Sequence, residues 1–158
     1  MGRMAYWLVK SEPSVYSVAD FAKDRVTGWH GVRNYQARNF LKTMAVGDKV
    51  LFYHSNEEPV GVAGIGRVKR VAYPDPSQFD RLSEYFDSRA KADAPRWFCP
   101  DLEFIAAFRE VVPLSALRAE KALADMVLLK RGTRLSVQPV TLAQFRTIER
   151  LSALRPRR

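Results

Sequence analysis

The side chains of this 158-residue chain with the most chemistry to offer are aromatic and basic rather than nucleophilic. Trp29, Tyr35, Tyr53, Tyr73 and Trp97 are interleaved along the sequence with Arg33, Arg38, Lys69, Arg70 and Arg96. Aromatic faces stack on nucleobases, worth about 1–3 kcal/mol each, while Arg and Lys hold phosphates. Any one of these rings serves equally well in core packing. Trp29 stands apart because of its neighbours, Gly28 on one side and His30-Gly31 on the other, which permit a tight backbone around a ligand.

Catalytic templates are not met. His54 and Ser55 form the one pair suited to nucleophilic catalysis, but adjacent strand residues point to opposite faces, which defeats triad geometry. They read as a strand-end histidine and a turn serine. Cys99, the single cysteine, lies between Phe98 and Pro100 and reads as a packed, inert thiol. One cysteine excludes an intrachain disulfide, and with only 2 histidines a transition-metal site is not expected. Gly61, Gly64 and Gly66 have the wrong spacing for a dinucleotide fingerprint. No phosphate-binding Walker loop, His-Glu-x-x-His or nucleophile elbow is present either. Neither catalysis nor a cofactor is expected.

Charge points the same way as the aromatic residues. Lys and Arg number 26 against 17 Asp and Glu, a formal net charge of +9. Such an excess favours a polyanionic partner, because each neutralised phosphate releases condensed counterions. Surplus charge that serves solubility alone is the competing reading. The excess is diffuse: residues 1–100 hold 15 basic against 11 acidic side chains, and residues 101–158 hold 11 against 6. No polybasic arm results, and Arg155, Arg157 and Arg158 around Pro156 read as a frayed, solvated tail. No apolar run approaches the roughly 20 residues of a membrane span. Met1-Gly2-Arg3-Met4-Ala5-Tyr6 has no apolar signal core behind it. A cytoplasmic chain without a membrane partner is the expectation.

These residues need elements to position them. Tyr6-Trp7-Leu8-Val9 reads as a first strand, stopped at Pro13. Ser17 with Asp20 opens a short helix through Phe21, and a glycine-bounded loop spans Thr27 to Arg33. Asn34 caps a second helix with Ala37, Phe40, Leu41 and Met44 on one face. Asp48–His54 and Val60–Ala72 form an antiparallel strand pair, with glycines in the second marking bulges or close backbone approach. Residues 73–96 are irregular and proline-punctuated, with at most one helical turn, and such long excursions are often functional. Trp97–Cys99 and Leu102–Val112 are β runs. Pro113 starts a helical segment that ends at Lys130-Arg131-Gly132. Leu135–Val140 is the last strand, and Thr141 with Gln144 caps a final helix. The order lacks the regular alternation of a doubly wound sheet, so an α+β fold on a small, strongly curved or barrel-like sheet is expected.

An ordered set of motifs now carries a resemblance. Tyr6-Trp7-Leu8-Val9-Lys10-Ser11-Glu12-Pro13 is followed by Trp29-His30-Gly31-Val32-Arg33-Asn34-Tyr35-Gln36-Ala37-Arg38-Asn39 and Gly47-Asp48. Phe52-Tyr53-His54-Ser55-Asn56, Tyr73-Pro74-Asp75-Pro76, Ala94-Pro95-Arg96-Trp97-Phe98 and Arg134-Leu135-Ser136-Val137-Gln138-Pro139-Val140 complete it. Over about residues 5–150 the chain resembles the EVE domain family. The resemblance implies one PUA-like domain across residues 1–158, a small, mostly antiparallel β-barrel surrounded by short helices and related to the YTH readers of methylated adenine. It implies a non-catalytic reader of a modified base, chiefly methylated or hydroxymethylated cytosine in DNA. Modified RNA is the alternative. By position, the implied pocket draws on Lys10, Ser11, Trp29, Val32, Arg33, Asn34, Tyr53, His54, Ser55, Asn56, Arg131, Arg134, Ser136 and Pro139.

A duplex hides its bases, so such a reader flips one out at a cost of a few kcal/mol. Trp29 would stack on the extruded ring, while Asn34, Ser55 and Asn56 offer donors and acceptors for its Watson–Crick edge. Lys10, Arg33, Arg131 and Arg134 would hold flanking phosphates. Plainer roles stay open: Asn34 as a helix cap, Asn56 in an Asx turn, Arg33 as a solvated loop charge, and His54 as filler at the barrel mouth. DNA and RNA are not separable here, since the discriminating contact is to the 2′-hydroxyl. The competing class is a small enzyme or a protein binding a small molecule or nucleotide, with salt-insensitive affinity. Should the reading serve restriction or modification, the nuclease or modification enzyme is expected on another chain.

Overall fold

In the computed structural model, residues 4–154 are described; Met1–Arg3 and the tail around Arg155, Arg157 and Arg158 lie outside the described residues. The elements run β1 (Tyr6–Ser11), α1 (Val18–Asp24), β2 (Val26–Gly28), α2 (Tyr35–Thr43), β3 (Lys49–His54), β4 (Gly61–Pro74), β5 (Phe98–Pro113), α3 (Leu114–Ala119), β6 (Val137–Val140) and α4 (Leu142–Ala153). Single 3₁₀ turns lie at Pro76–Phe79, Lys121–Leu123 and Val127–Leu129.

Local side-chain chemistry starts three helices where the sequence places them. Ser17 and Asp20 exchange side-chain and backbone hydrogen bonds in a capping box, as do Thr141 and Gln144. The Asn34 carboxamide oxygen accepts from the Ala37 N–H at 2.9 Å, which gives Asn34 its capping role. Two expectations are corrected. The β runs around Cys99 and Leu102–Val112 are one strand, and the segment after Pro113 breaks into α3 and two 3₁₀ turns. Val26–Gly28, part of which was expected as loop, pairs with Asp101–Glu103 of β5.

The sheet order is β2-β5-β4-β3-β1-β6, with β1 and β3 parallel and every other pair antiparallel. This corrects the expected barrel: the sheet is open, with β2 and β6 at its edges. The physical reason lies in the central strands. Trp7-Leu8-Val9 and Val50-Leu51-Phe52 are buried on both faces. Successive strand residues point to opposite sides, so each face builds its own core. Leu8, Leu51 and Ile65 pack with Leu117, Leu123, Met126, Phe145 and Ile148. Trp7, Val9, Val50 and Phe52 pack on the other side with Phe21, Ala37 and Leu41. Fully burying such side chains contributes roughly 1.5–3 kcal/mol each. Helices therefore cover both faces, and no single interior remains for the sheet to wrap. The edges end pairing themselves: β2 has only 3 residues, and Pro139 in β6 has no N–H to donate.

Curvature is real, however. The β4–β5 ladder shifts register at four places. At Gly64 an added Cβ would sit 2.5 Å from the Ala106 carbonyl, so the two backbones approach closely there. The excursion after β4 is held from within. Buried Gln78 donates to the Asp75 and Trp97 carbonyls at 2.8 Å and accepts from the amides of Arg96 and Trp97 at 2.9 and 3.0 Å. The Trp97 indole N–H adds a 2.8 Å bond to Asp87.

Candidate nucleic-acid interface

A cleft of about 620 Å³ opens where the end of β1, the β1–α1 loop, the β2–α2 loop and the excursion meet. It gathers Lys10, Ser11, Trp29, Val32, Arg33 and Ser136 of the residues expected at the site. The fold explains the convergence. The Lys10 amide donates to the Ser136 carbonyl at 2.9 Å, and the Trp29 amide donates to Pro100 at 2.9 Å. Trp29 is 9% exposed, its ring edge-on to Phe52 at 5.5 Å and to Tyr16 at 6.3 Å between centroids. It forms wall more than free stacking surface.

Arg33 and Gly31 tie the loop to the excursion. All of the Arg33 N–H groups are engaged: Nε donates to the Tyr85 carbonyl at 3.1 Å, Nη1 to Val32 at 3.0 Å and Asp75 at 3.1 Å, and Nη2 to Ser77 at 3.0 Å and Tyr85 at 2.7 Å. Its plane also faces the rings of Tyr85 and Trp97, 5.6 and 5.3 Å from their centroids. Arg33 is thus framework, with no donor left over for a phosphate. Gly31 has φ +87°, donates to Asp75 at 2.8 Å, and lies so close under the Tyr85 ring that a Cβ would meet it at 2.7 Å. Burial alone would raise the Asp75 carboxyl; hydrogen bonds from Ser77, Gly31 and Arg33 outweigh it and hold the carboxyl below its usual range.

Eight expected residues lie elsewhere. Asn34 caps α2. His54 Nε2 accepts from the Val18 amide at 3.0 Å, and burial lowers its pKa against an opposing pull from Glu57. Its partner is a helix amide, not Ser55, whose amide donates to the Ser11 carbonyl at 2.9 Å. Asn56 has φ +64° and donates to Glu12 at 2.7 Å. Tyr53 and Arg131 line a second cleft of about 500 Å³, which Lys10 also lines. Arg134 is exposed and lines neither cleft, and Pro139 lines a separate apolar groove beside Trp7. The other aromatic residues form framework pairs: Tyr35 stacks on Trp97 at 4.8 Å, and the Tyr73 hydroxyl donates to Asp101 at 2.5 Å.

Sequence reasoning missed Glu12, Tyr16, Thr27, Glu84 and Tyr85, all of which line the first cleft. For Tyr85 the one signal was the length of the excursion that carries it. The donor atoms of His30, Asp75 and Cys99 lie within 4.8 Å of one another, a spacing that could hold a metal ion. The set is a poor fit. Asp75 already accepts from the amides of Gly31 and Ser77, the Ser77 hydroxyl and Arg33. Burial pushes the Cys99 thiol up to about 12, so a metal would have to displace that proton as well as the hydrogen bonds on Asp75.

Comparison with known proteins supplies the lineage. The sequence pattern of the EVE domain matches residues 5–151. Thymocyte nuclear protein 1 of Homo sapiens is 39% identical over 160 residues, covering 89% of this chain and 71% of the human protein. A Pseudomonas syringae protein of solved structure is 44% identical with a TM-score of 0.91, covering 94% of this chain and 99% of its own. The human THYN1 protein, solved in complex with DNA containing 5-methylcytosine, is 36% identical with a TM-score of 0.89 and covers 96% of this chain and 99% of its own. With the pattern spanning nearly the whole chain and relatives this similar, the protein is a member of the EVE domain family.

Proposed function

We propose that this protein is a non-catalytic reader of a modified base in DNA, methylated or hydroxymethylated cytosine, held extruded in the first cleft. The observation that carries the reading is the cleft itself: about 620 Å³, walled by Trp29, Tyr16 and Tyr85, with polar groups at its rim. Duplex DNA hides a base's edges, and flipping it costs a few kcal/mol that the pocket must return. Aromatic walls return part of that through stacking. Glu12 and Glu84 at the rim are acceptors of the type that pairs with the exocyclic amine of cytosine. Ser11, on the cleft lining, donates its hydroxyl proton to the Tyr16 carbonyl at 2.6 Å, which leaves its oxygen as an acceptor. The DNA-bound human relative supports the choice of ligand class.

The test is titration of matched duplexes with and without 5-methylcytosine or 5-hydroxymethylcytosine, at fixed salt, beside RNA counterparts. Tighter binding of modified DNA is expected. Preference for modified RNA would move the reading to that polymer. Equal affinity across all panels would overturn it, and salt-insensitive capture of a free nucleotide would replace it with a small-molecule site.

A further inference from the structure

If a base is held in the first cleft, the strand it belongs to must place its phosphates somewhere, and two of the four cations expected to hold them, Arg33 and Arg134, are not placed to do so. Arg33 spends every N–H donor on Val32, Asp75, Ser77 and Tyr85. Arg134 lines neither cleft.

The second cleft has the opposite character. Lys10, Arg118, Lys130 and Arg131 all line its roughly 500 Å³, around Tyr53. None of the four makes an ion pair among the described residues. No Asp or Glu is among the residues that line this cleft. Glu120 is held by Arg150 at 3.6 Å, and Glu58 lines neither cleft, though its charge is felt at Tyr53. Lys10 is partly buried with its ammonium 5.8 Å from the centre of the Tyr53 ring, a position that takes it partly out of water without supplying a counter-charge. Four like charges around one concavity repel one another unless an anion joins them.

The two clefts are neighbours, since Lys10 lines both. We infer that the cleft of Lys10, Arg118, Lys130 and Arg131 is a phosphodiester subsite that grips the strand beside the base-holding cleft. This assignment rests on the reader function proposed above. It predicts a division of labour in which the first cleft sets base preference and the second sets affinity without regard to base.

The experiment compares wild type with the triple variant Arg118→Gln/Lys130→Gln/Arg131→Gln, all three side chains being exposed. A control removes the same charge from exposed positions that line neither cleft, Lys23→Gln/Arg109→Gln/Arg146→Gln. Circular dichroism melting checks that each folds. Binding of modified and unmodified duplexes is measured from low to physiological salt. The cleft variant is expected to lose about tenfold or more for both duplexes, with about 2 taken off the log–log salt slope and the modified-to-unmodified ratio unchanged. The control is expected to lose much less. Equal losses in variant and control, or an unaltered salt slope, overturn the subsite. A wild-type ratio of one speaks against the reader function instead, and is read independently of the slope. Should the triple variant fail to fold, Lys130→Gln alone must lower the slope by about 0.7–0.9, or the subsite is rejected.

Discussion

Arg33 Nη1 lies 3.1 Å from Asp75 Oδ2, and the Asp75 side chain is only 1% exposed while that of Arg33 is 22% exposed. This pair joins the loop that carries Trp29 to the excursion that carries Tyr85, so the shape of the base-holding cleft depends on it. Every group around the Asp75 carboxylate is a donor, which an asparagine cannot match on both of its side-chain atoms. Asp75→Asn is expected to cost about 2–4 kcal/mol in chemical denaturation, since it strips a partly buried guanidinium of its counter-charge. Arg33→Lys should also destabilise, because one ammonium cannot replace a planar five-donor fork. Wild-type stability in both variants would remove the pair from its structural role.

Asp87 predicts a second, acid-dependent effect. The Trp97 indole N–H is the main cause that pulls its carboxyl down to about 2 from the usual 3.8, with the Arg89 amide assisting and burial opposing. A depressed folded-state value stabilises the fold above the unfolded value and is lost on acidification. The contribution is therefore complete above about pH 4 and fades as pH falls from 3.8 toward 2. Asp87→Asn should be less stable than wild type near pH 6, with the gap closing toward pH 2. A gap independent of pH would exclude this carboxylate as its origin.

Gly31 makes the third case. At φ +87° a side chain is strained by roughly 1–2 kcal/mol, and an added methyl would meet the Tyr85 ring at 2.7 Å. Gly31→Ala should lower the melting temperature and displace Tyr85 from the cleft wall. Binding of modified DNA should weaken more than the stability loss explains. Adding Tyr85→Ala relieves the clash but not the backbone strain, so the double variant should recover only part of the lost stability. Complete recovery, or none, would contradict the two-part cause.

How far the sequence could be read follows from the range of each interaction. Ser17, Asn34 and Thr141 bond to backbone three residues away, so their caps are visible in the sequence. Arg33 bonds to a carbonyl 52 positions on, at Tyr85, and no local pattern carries that information. The open sheet was missed for a related reason. Glycines inside a strand mark bends and apolar runs mark burial, but closure depends on which edges meet, and the parallel pairing of β1 with β3 joins strands far apart in the chain. His54 is the strand-end residue the sequence marks, with Ser55 just beyond β3, whereas the amide of Val18 as partner of His54 was not foreseeable.

Cys99 offers a clean chemical check. Burial is the main reason its thiol is pushed up to about 12, against an ordinary value of 9.0. The thiolate fraction near pH 8 is then about a thousandfold smaller than for a free cysteine. Native protein should resist iodoacetamide at pH 8, while denatured protein should take up one equivalent per chain. Rapid labelling of the folded protein would show that the strand opens there.

Trp29 separates wall from reader. Its ring is buried against Tyr16 and Phe52, so Trp29→Ala opens a cavity and should cost about 3–5 kcal/mol whatever the ring does for a ligand. Loss of binding in that variant alone would decide nothing about recognition. Trp29→Phe keeps an aromatic face while losing the indole's reach into the cleft. Measured well below its melting temperature, it should retain affinity for unmodified DNA and lose several-fold in preference for the modified duplex. Trp29→Ala, where still folded, should abolish the preference. If both variants keep the wild-type ratio, the indole is structural and selectivity must come from Tyr85, Tyr16 and the polar rim.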